Sequence, residues 1–400
     1  MDWYPLWNSL RIAALSTVII FFLGILAAYY VAKLPRLVKG VLDVVLTLPL
    51  VLPPTVVGYF LLRLLGPKRT IGLWFLETFG VRLTMVWYAA VFASAVVAFP
   101  LMYRTARGAF ESFDSDLAYA GQTLGRSNSW IFWRVRMPCC KQGIIAGTVL
   151  AFARALGEYG ATSMIAGYTP GRDDLDHGLP ALAHGRRRGR DALGAGEPGD
   201  LGRGAPGGEH AGEKEQEPAP EGGARVRGGG LMSLVVDIKK DFGRFRLDVE
   251  FEAGSGEVTG LLGASGCGKS VTLKCVAGIE KPDEGRIVLD GRVLFDSERR
   301  IDLTPQRRRV GYLFQNYALF PNMTLAQNIA VGVRDRAKRR ETVERLVKSF
   351  YLEGCEGKYP RQLSGGQQQR AALARILASE PEVLMLDEPF SALDSYLKWQ

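Results

Sequence analysis

Histidine is nearly missing from this chain. Its 400 residues hold three, His177, His184 and His210, all within residues 171–230 and without helical or metal-ligand spacing, so they read as solvated residues and not as a metal centre. The five cysteines, Cys139, Cys140, Cys267, Cys275 and Cys355, also lack ligand spacing. They point to reduced thiols in the cytoplasm and against disulfides. Residues 12–32 lack any charge, which rules out a single soluble domain. Residues 171–230 lack any aromatic side chain, and with seventeen glycines and five prolines they cannot bury a core. The net charge of +9 divides into about +8 before position 171, −2 across 171–230 and +3 beyond. Basic residues therefore sit with the apolar segments, as the positive-inside rule requires, and no nucleic-acid partner is expected.

What is present falls into two halves. Four apolar stretches predict membrane spans at residues 12–32, 44–62, 83–103 and 144–168 of a domain covering 1–170. Trp3, Tyr4, Trp7, Tyr29 and Tyr30 flank the first as interfacial anchors. Pro49, Pro53 and Pro54 break the second, either for a transport path or as a packing kink. Arg154 and Glu158, four residues apart in the fourth, are expected on one helical face as a buried ion pair or as groups lining a path. The polar segment 104–141 carries six basic residues and is expected in the cytoplasm.

After residues 171–231, Ser233-Leu-Val-Val-Asp-Ile238 alternates like the first strand of a domain covering 232–400. Residues 258–262 read as a buried strand. They lead into Gly263-Ala264-Ser265-Gly266-Cys267-Gly268-Lys269-Ser270 and then an apolar helix start. Strand, glycine-rich loop and helix make a complete phosphate-binding context: backbone N–H groups turn toward phosphates, Lys269 reaches the β and γ oxygens, and Ser270 holds Mg²⁺. Residues 382–388 form a short apolar strand ending in Asp387, placed to hold Mg²⁺ through water, and Glu388, placed to polarise an attacking water. Between them Leu363-Ser364-Gly365-Gly366-Gln367 opens a helix whose N-terminus suits a γ-phosphate.

These motifs, in this order, resemble the ATPase domain of ABC transporters from Met232 to the chain end. The resemblance implies a multi-domain fold class: an α-helical transmembrane permease domain followed by an α/β P-loop ABC ATPase domain. It implies ATP and Mg²⁺ as cofactors, with Ser270, Gln315 and Asp387 at the metal and Glu388 catalytic. It also makes Gln315 the sensing glutamine between nucleotide and permease, Ser391-Ala-Leu-Asp394 the loop that meets a partner ATPase, and Phe242 the aromatic that stacks on adenine, with Phe245 competing for that role.

Tyr119-Ala-Gly-Gln-Thr-Leu-Gly125 with Val135-Arg-Met-Pro138 resembles the coupling loop of ABC-importer permeases, although Tyr119 stands where that family usually has Glu. Residues 48–58 and 151–161 resemble molybdate-type oxyanion permeases, with sulfate permeases as near neighbours. The implied protein is an ATP-driven importer of an oxyanion, molybdate first and sulfate or tungstate as alternatives. It would sit in a bacterial cytoplasmic (inner) membrane among lipid, its ATPase domain in the cytoplasm. A second copy and an extracytoplasmic oxyanion-binding protein would complete it.

One count does not close. Starting from a cytoplasmic coupling loop, four spans leave residue 170 outside, so one more span is needed before the ATPase domain. Residues 171–230 are therefore expected to be an out-of-frame stretch beginning near Arg172, or else a flexible linker in a genuine fusion. A switch histidine is expected beyond Asp394 and none follows Met232, so weak or no hydrolysis by the chain alone is expected, and a degenerate product that only binds ATP is the alternative. A nucleic-acid ATPase is the reading from another class.

Overall fold

The computed structural model describes residues 3–66, 68–80, 82–166, 233–243 and 245–389. The proposed linker, its three histidines and Asp394 lie outside them.

The charge-free first run has every backbone group to satisfy and no proline to interrupt it, so it forms one long helix, α1 (Tyr4–Ala32). Next come α2 (Arg36–Val51), α3 (Pro54–Leu65), α4 (Thr70–Phe79) and α5 (Trp87–Glu111). Small residues let α1 and α5 approach closely: Ala13, Ala28, Ala98 and Ala106 are fully buried, and a Cβ on Gly24 would lie 2.8 Å from Met102 Cγ. Leu6–Ala32 and Trp87–Glu111 are the two described helices long and apolar enough to cross a membrane unaided.

The expected second span, 44–62, is not a rod. Pro53 and Pro54 end α2 and restart the chain as α3 at 112°, because proline removes backbone donors and bars the preceding residue from helix. The third span begins at Trp87, not 83, and α5 runs past 103 to Glu111, so the expected coupling segment starts inside it. The fourth is also broken. α9 (Lys141–Leu156) ends before Gly157, and α10 (Gly160–Ala166) follows. Glu158 thus lies beyond the helix that holds Arg154, which corrects the expectation of one helical face. The two still pair, Nη1 to Oε2 at 2.6 Å, while Glu158 Oε1 accepts from Ala161 N–H at 2.8 Å and so caps α10.

Between α5 and α9 the chain folds into short pieces: α6 (Ser115–Thr123), α7 (Asn128–Ile131), a π-helical turn (Phe132–Arg136) and α8 (Met137–Cys139). The π turn runs directly into α8, and α9 leaves that run at 73°.

The second half is α/β. Strands β1 (Ser233–Asp241), β2 (Arg246–Gly254), β3 (Glu284–Leu289), β4 (Arg292–Asp296) and β5 (Ile301–Asp302) form an antiparallel sheet in the order β2-β1-β3-β4-β5. Strands β6 (Val310–Leu313) and β7 (Val383–Leu386) form a separate parallel pair. Around these pack α11 (Lys269–Ala277), α12 (Pro305–Arg308), α13 (Leu325–Gly332), α14 (Arg339–Ser349) and α15 (Gly365–Leu377). The strand expected at 258–262 is not formed: Val258 and Leu262 are fully exposed and no ladder includes them. An apolar run supplies a strand's side chains but not its partner, and Leu384 and Leu386 on β7, the strand that would border such a ladder, are only partly covered.

Candidate functional site

The glycine-rich run Gly263–Ser270, expected from the sequence to be a phosphate loop, runs from exposed residue 262 into α11. Gly266 and Gly268 take φ of +85° and +99°, conformations that a side chain would strain. At Gly268 an added Cβ would also lie 2.5 Å from Leu247 Cδ1 and 3.1 Å from Phe245 Cζ. Lys269 folds over this loop, its Nζ donating to the carbonyls of Gly263 and Ala264 at 2.8 Å each. Ser265 and Cys267 are exposed in the same turn.

Parallel pairing of β6 with β7 brings distant residues to α11. Asp387, one residue past β7, is buried and accepts from Ser270 Oγ at 2.8 Å and from Tyr312 Oη at 2.9 Å. Burial and the adjacent carboxylate push the Tyr312 hydroxyl far above its usual range, so it stays a donor. Two residues beyond β6, Gln315 Nε2 donates to Glu388 Oε2 at 2.9 Å. Thus Ser270, Gln315, Asp387 and Glu388 are joined within one cluster. Ser270 and Asp387 offer hard oxygen donors that fit Mg²⁺, which when bound would neutralise phosphate charge. Tyr312 was not singled out from the sequence. Its only signal is a position opposite Met385 in the ladder, visible once the strands are paired.

Other expected residues fall elsewhere. Ser364 caps α15 through a reciprocal pair with Gln367, its oxygen accepting from Gln367 N–H at 3.3 Å while Gln367 Oε1 accepts from Ser364 N–H at 3.0 Å. Ser364, Gly365 and Gly366 are exposed, and among the described residues none is hydrogen-bonded to the phosphate loop. Phe242 is half exposed and stacks on Phe245 at 6.3 Å. It is Phe245, not Phe242, that reaches Gly268.

The segment between α5 and α9 docks on this α/β half. Leu117, Ala118, Ala120, Leu124, Ile131 and Val135 share one buried cluster with Tyr312, Phe314, Ala318 and Phe320. A Cβ at Gly121 would lie 2.8 Å from Ile131, so only glycine lets α6 seat against α7. Gly125, at φ +77°, makes the turn that follows. Asn316, beside Gln315, donates to Asp114 at 3.1 Å and to Asp116 at 3.2 Å. Asn322 donates to the Arg134 carbonyl at 2.8 Å, and Arg126 Nε donates to Val331 O at 2.8 Å.

Two family models match the chain. Residues 20–179 match the model described as a binding-protein-dependent transport system inner membrane component, and residues 247–391 match the ABC transporter model. Among curated proteins, the chain is 47% identical over 176 residues to the probable sulfate/thiosulfate import ATP-binding protein CysA of Chlorella vulgaris, covering 42% of this chain and 72% of that one. The chain belongs to the ABC transporters.

Within that family, this ABC transporter chain is 48% identical over 174 residues to the sulfate/thiosulfate import ATP-binding protein CysA of Gloeobacter violaceus, covering 42% of this chain and 49% of the relative. It is 44% identical over 163 residues to the molybdenum import ATP-binding protein ModC of Paramagnetospirillum magneticum, covering 40% and 45%. It thus spans about half the length of these two relatives. A dimeric bacterial ABC transporter cassette of known structure is 30% identical, covering 42% of this chain and 78% of that one, with a TM-score of 0.36. The expected fold class holds: a helical permease domain of the inner-membrane-component type precedes an ABC cassette.

Proposed function

We propose that this chain uses ATP at the Gly263–Ser270 loop to drive import of an oxyanion, molybdate, through its helical half. The observation that carries the reading is a continuous polar path. Asp114 and Asp116 of the docking segment bond Asn316; the preceding residue, Gln315, bonds Glu388, and Glu388 adjoins Asp387, which bonds Ser270. A change at the phosphate end of this path displaces the loop that carries Gln315 and Asn316, and with it α6. That is how a nucleotide-dependent population shift reaches membrane helices.

In this reading Lys269 and the N–H groups of residues 263–270 hold the phosphates, and Phe242 or Phe245 stacks on the base. Glu388 orients water, with Ser270, Gln315 and Asp387 as the Mg²⁺ set. The Ser364-Gly365-Gly366-Gln367 turn, whose first three residues are exposed, faces the phosphate loop of a second copy together with Asp394. The cassette lies in the cytoplasm and the helices in a bacterial inner membrane, with a separate binding protein delivering the anion. Residues 1–170, 171–231 and 232–400 are the permease, connecting and cassette regions.

Molybdate is chosen on residues 48–58 and 151–161, which resemble molybdate-type permeases. Sulfate is the second reading, because relatives of the cassette named for sulfate/thiosulfate import stand beside those named for molybdenum. The test is uptake into proteoliposomes holding the full chain and ATP, comparing radiolabelled molybdate with sulfate, for the native protein and Glu388→Gln. Molybdate uptake lost in Glu388→Gln supports the proposal. Sulfate-selective uptake replaces the substrate, and uptake of either anion that ignores Glu388→Gln sinks the mechanism.

A further inference from the structure

At the junction of the two halves lies an open cleft of about 500 Å³ that the transport reading does not use. Five arginines line it: Arg126 from the segment after α6, and Arg292, Arg307, Arg309 and Arg334 from the cassette. No acidic residue lines it. Beside the cleft one carboxylate, Glu382, is shared between Arg292 at 2.7 Å and Arg309 at 3.1 Å. Five cations against one anion leave four positive charges in excess. Arg307 and Arg334 form no ion pair among the described residues, and Arg126 donates to the carbonyls of Val331 and Val333 and lies over the Trp130 ring, with no carboxylate partner among them.

Such an arrangement is unfavourable by itself. Arg126 is half-buried, and burial, followed by the positive charge of Arg339 and Arg336, holds its pKa below the ordinary value. Arg307, Arg309 and Arg334 are exposed, so water screens part of the repulsion among these like charges, but their convergence on one cleft keeps its field positive. What offsets the repulsion is an anion of matching valence. All five groups are arginine, whose planar fork binds phosphate oxygens in pairs, and lysine is absent. The volume is several times that of a lone tetrahedral oxyanion, and the excess of four charges matches a chain of linked phosphates.

We propose that this cleft binds a soluble polyphosphate anion across the junction of permease and cassette. Because Arg126 comes from one half and the other four arginines from the second, the site is whole only when the halves are docked. Ligand therefore stabilises the docked state by linkage. A polyphosphate-bearing metabolite becomes a second input to coupling, independent of the phosphate loop.

The test is calorimetric binding of tripolyphosphate to the full chain in nanodiscs of zwitterionic lipid, with Lys269→Ala in every sample to weaken capture at the phosphate loop. The expected result is binding that falls steeply with salt and weakens more than tenfold in Arg307→Gln/Arg334→Gln. Lys348→Gln, an exposed charge change on α14, leaves it unaltered. No binding, or binding indifferent to the double substitution, overturns the proposal. So does a requirement for anionic lipid in the nanodisc, which would assign the arginines to a headgroup. None of these readouts depends on hydrolysis or uptake, so failure here and failure of the transport reading are separate.

Discussion

The two halves partner their charges by opposite means. Where α2 meets α5, side chain answers side chain: Asp43 pairs with Arg107 and accepts from Tyr103 Oη at 2.5 Å, while Glu111 pairs with Lys39 and, at 3.1 Å, with Arg107. In the cassette, single arginines are buried against backbone. Arg308 is fully buried and donates to the carbonyls of Leu303, Cys275 and Val276, the last two at the C-terminus of α11, with Asp302 as its carboxylate. Arg375, on α15, donates to the carbonyls of Ala318 and Tyr317 at 2.6 and 2.9 Å and lies over the Phe320 ring. The reason is where free carbonyls exist. Helices that cross a membrane spend theirs on their own ladder, so charges must find one another. A cassette built of short elements and tight turns leaves helix ends and loops with carbonyls to give.

Substitutions that remove one partner test this contrast. The largest effect is expected at Arg375. Arg375→Met strips two carbonyls of a buried donor beside Tyr317 and Ala318, which hold positive φ, and should cost the cassette about 2–4 kcal/mol, each unmet carbonyl costing about 1–3 kcal/mol against the relief of burying an unpaired charge. A cassette unfolding transition that drops well below that of the helical half would confirm it, and an unchanged transition would refute it. Gly121→Val comes next, because the 2.8 Å approach to Ile131 forces α6 out of its seat. ATP hydrolysis should then lose its dependence on transported anion, by tenfold or more in the ratio of stimulated to basal rates. In the helical half Asp43→Asn keeps its shape but leaves Arg107 with Glu111 alone. A loss of about 1–3 kcal/mol is expected in detergent melting, with the cassette unaffected.

The smallest effect is a pH dependence at the junction. Burial, then the neighbouring Asp114 charge, raises the Asp116 pKa above the ordinary carboxylate value in the docked state. The docked state therefore binds a proton more readily than the separated one. Docking should tighten as pH falls from the raised value toward the ordinary range and loosen as pH rises through it. Asp116→Asn should flatten that profile, as measured by proteolysis of the segment following α5 between pH 4 and 7. An unaltered profile in Asp116→Asn assigns the dependence to another group.

Sequence alone was generous where a function needs consecutive residues. The phosphate loop, the Asp387-Glu388 pair and the Ser364 cap each lie in one short run, and their local backbone follows from glycine, serine and strand preference at those positions. It was less reliable on the long helices. The apolar run at 44–62 counts the same whether or not Pro53 and Pro54 turn it through 112°, because hydropathy carries no direction. The same holds for 258–262, whose composition suits a strand but whose ladder depends on a neighbour far along the chain.

What the amino-acid order settled by itself was the division into an apolar helical half and an α/β half, and the local backbone of the glycine-rich run Gly263–Ser270. Both depend on local composition and on contacts between residues a few positions apart. The fold alone decided that Tyr312 and Ser270 share Asp387, that Asn316 ties the loop after β6 to Asp114 and Asp116, and that Arg308 and Arg375 serve as buried props for backbone. It also decided that five arginines spread from position 126 to position 334 line one cleft. These pairings join residues up to two hundred positions apart, and such a meeting is fixed only when the core that brings the elements together has formed.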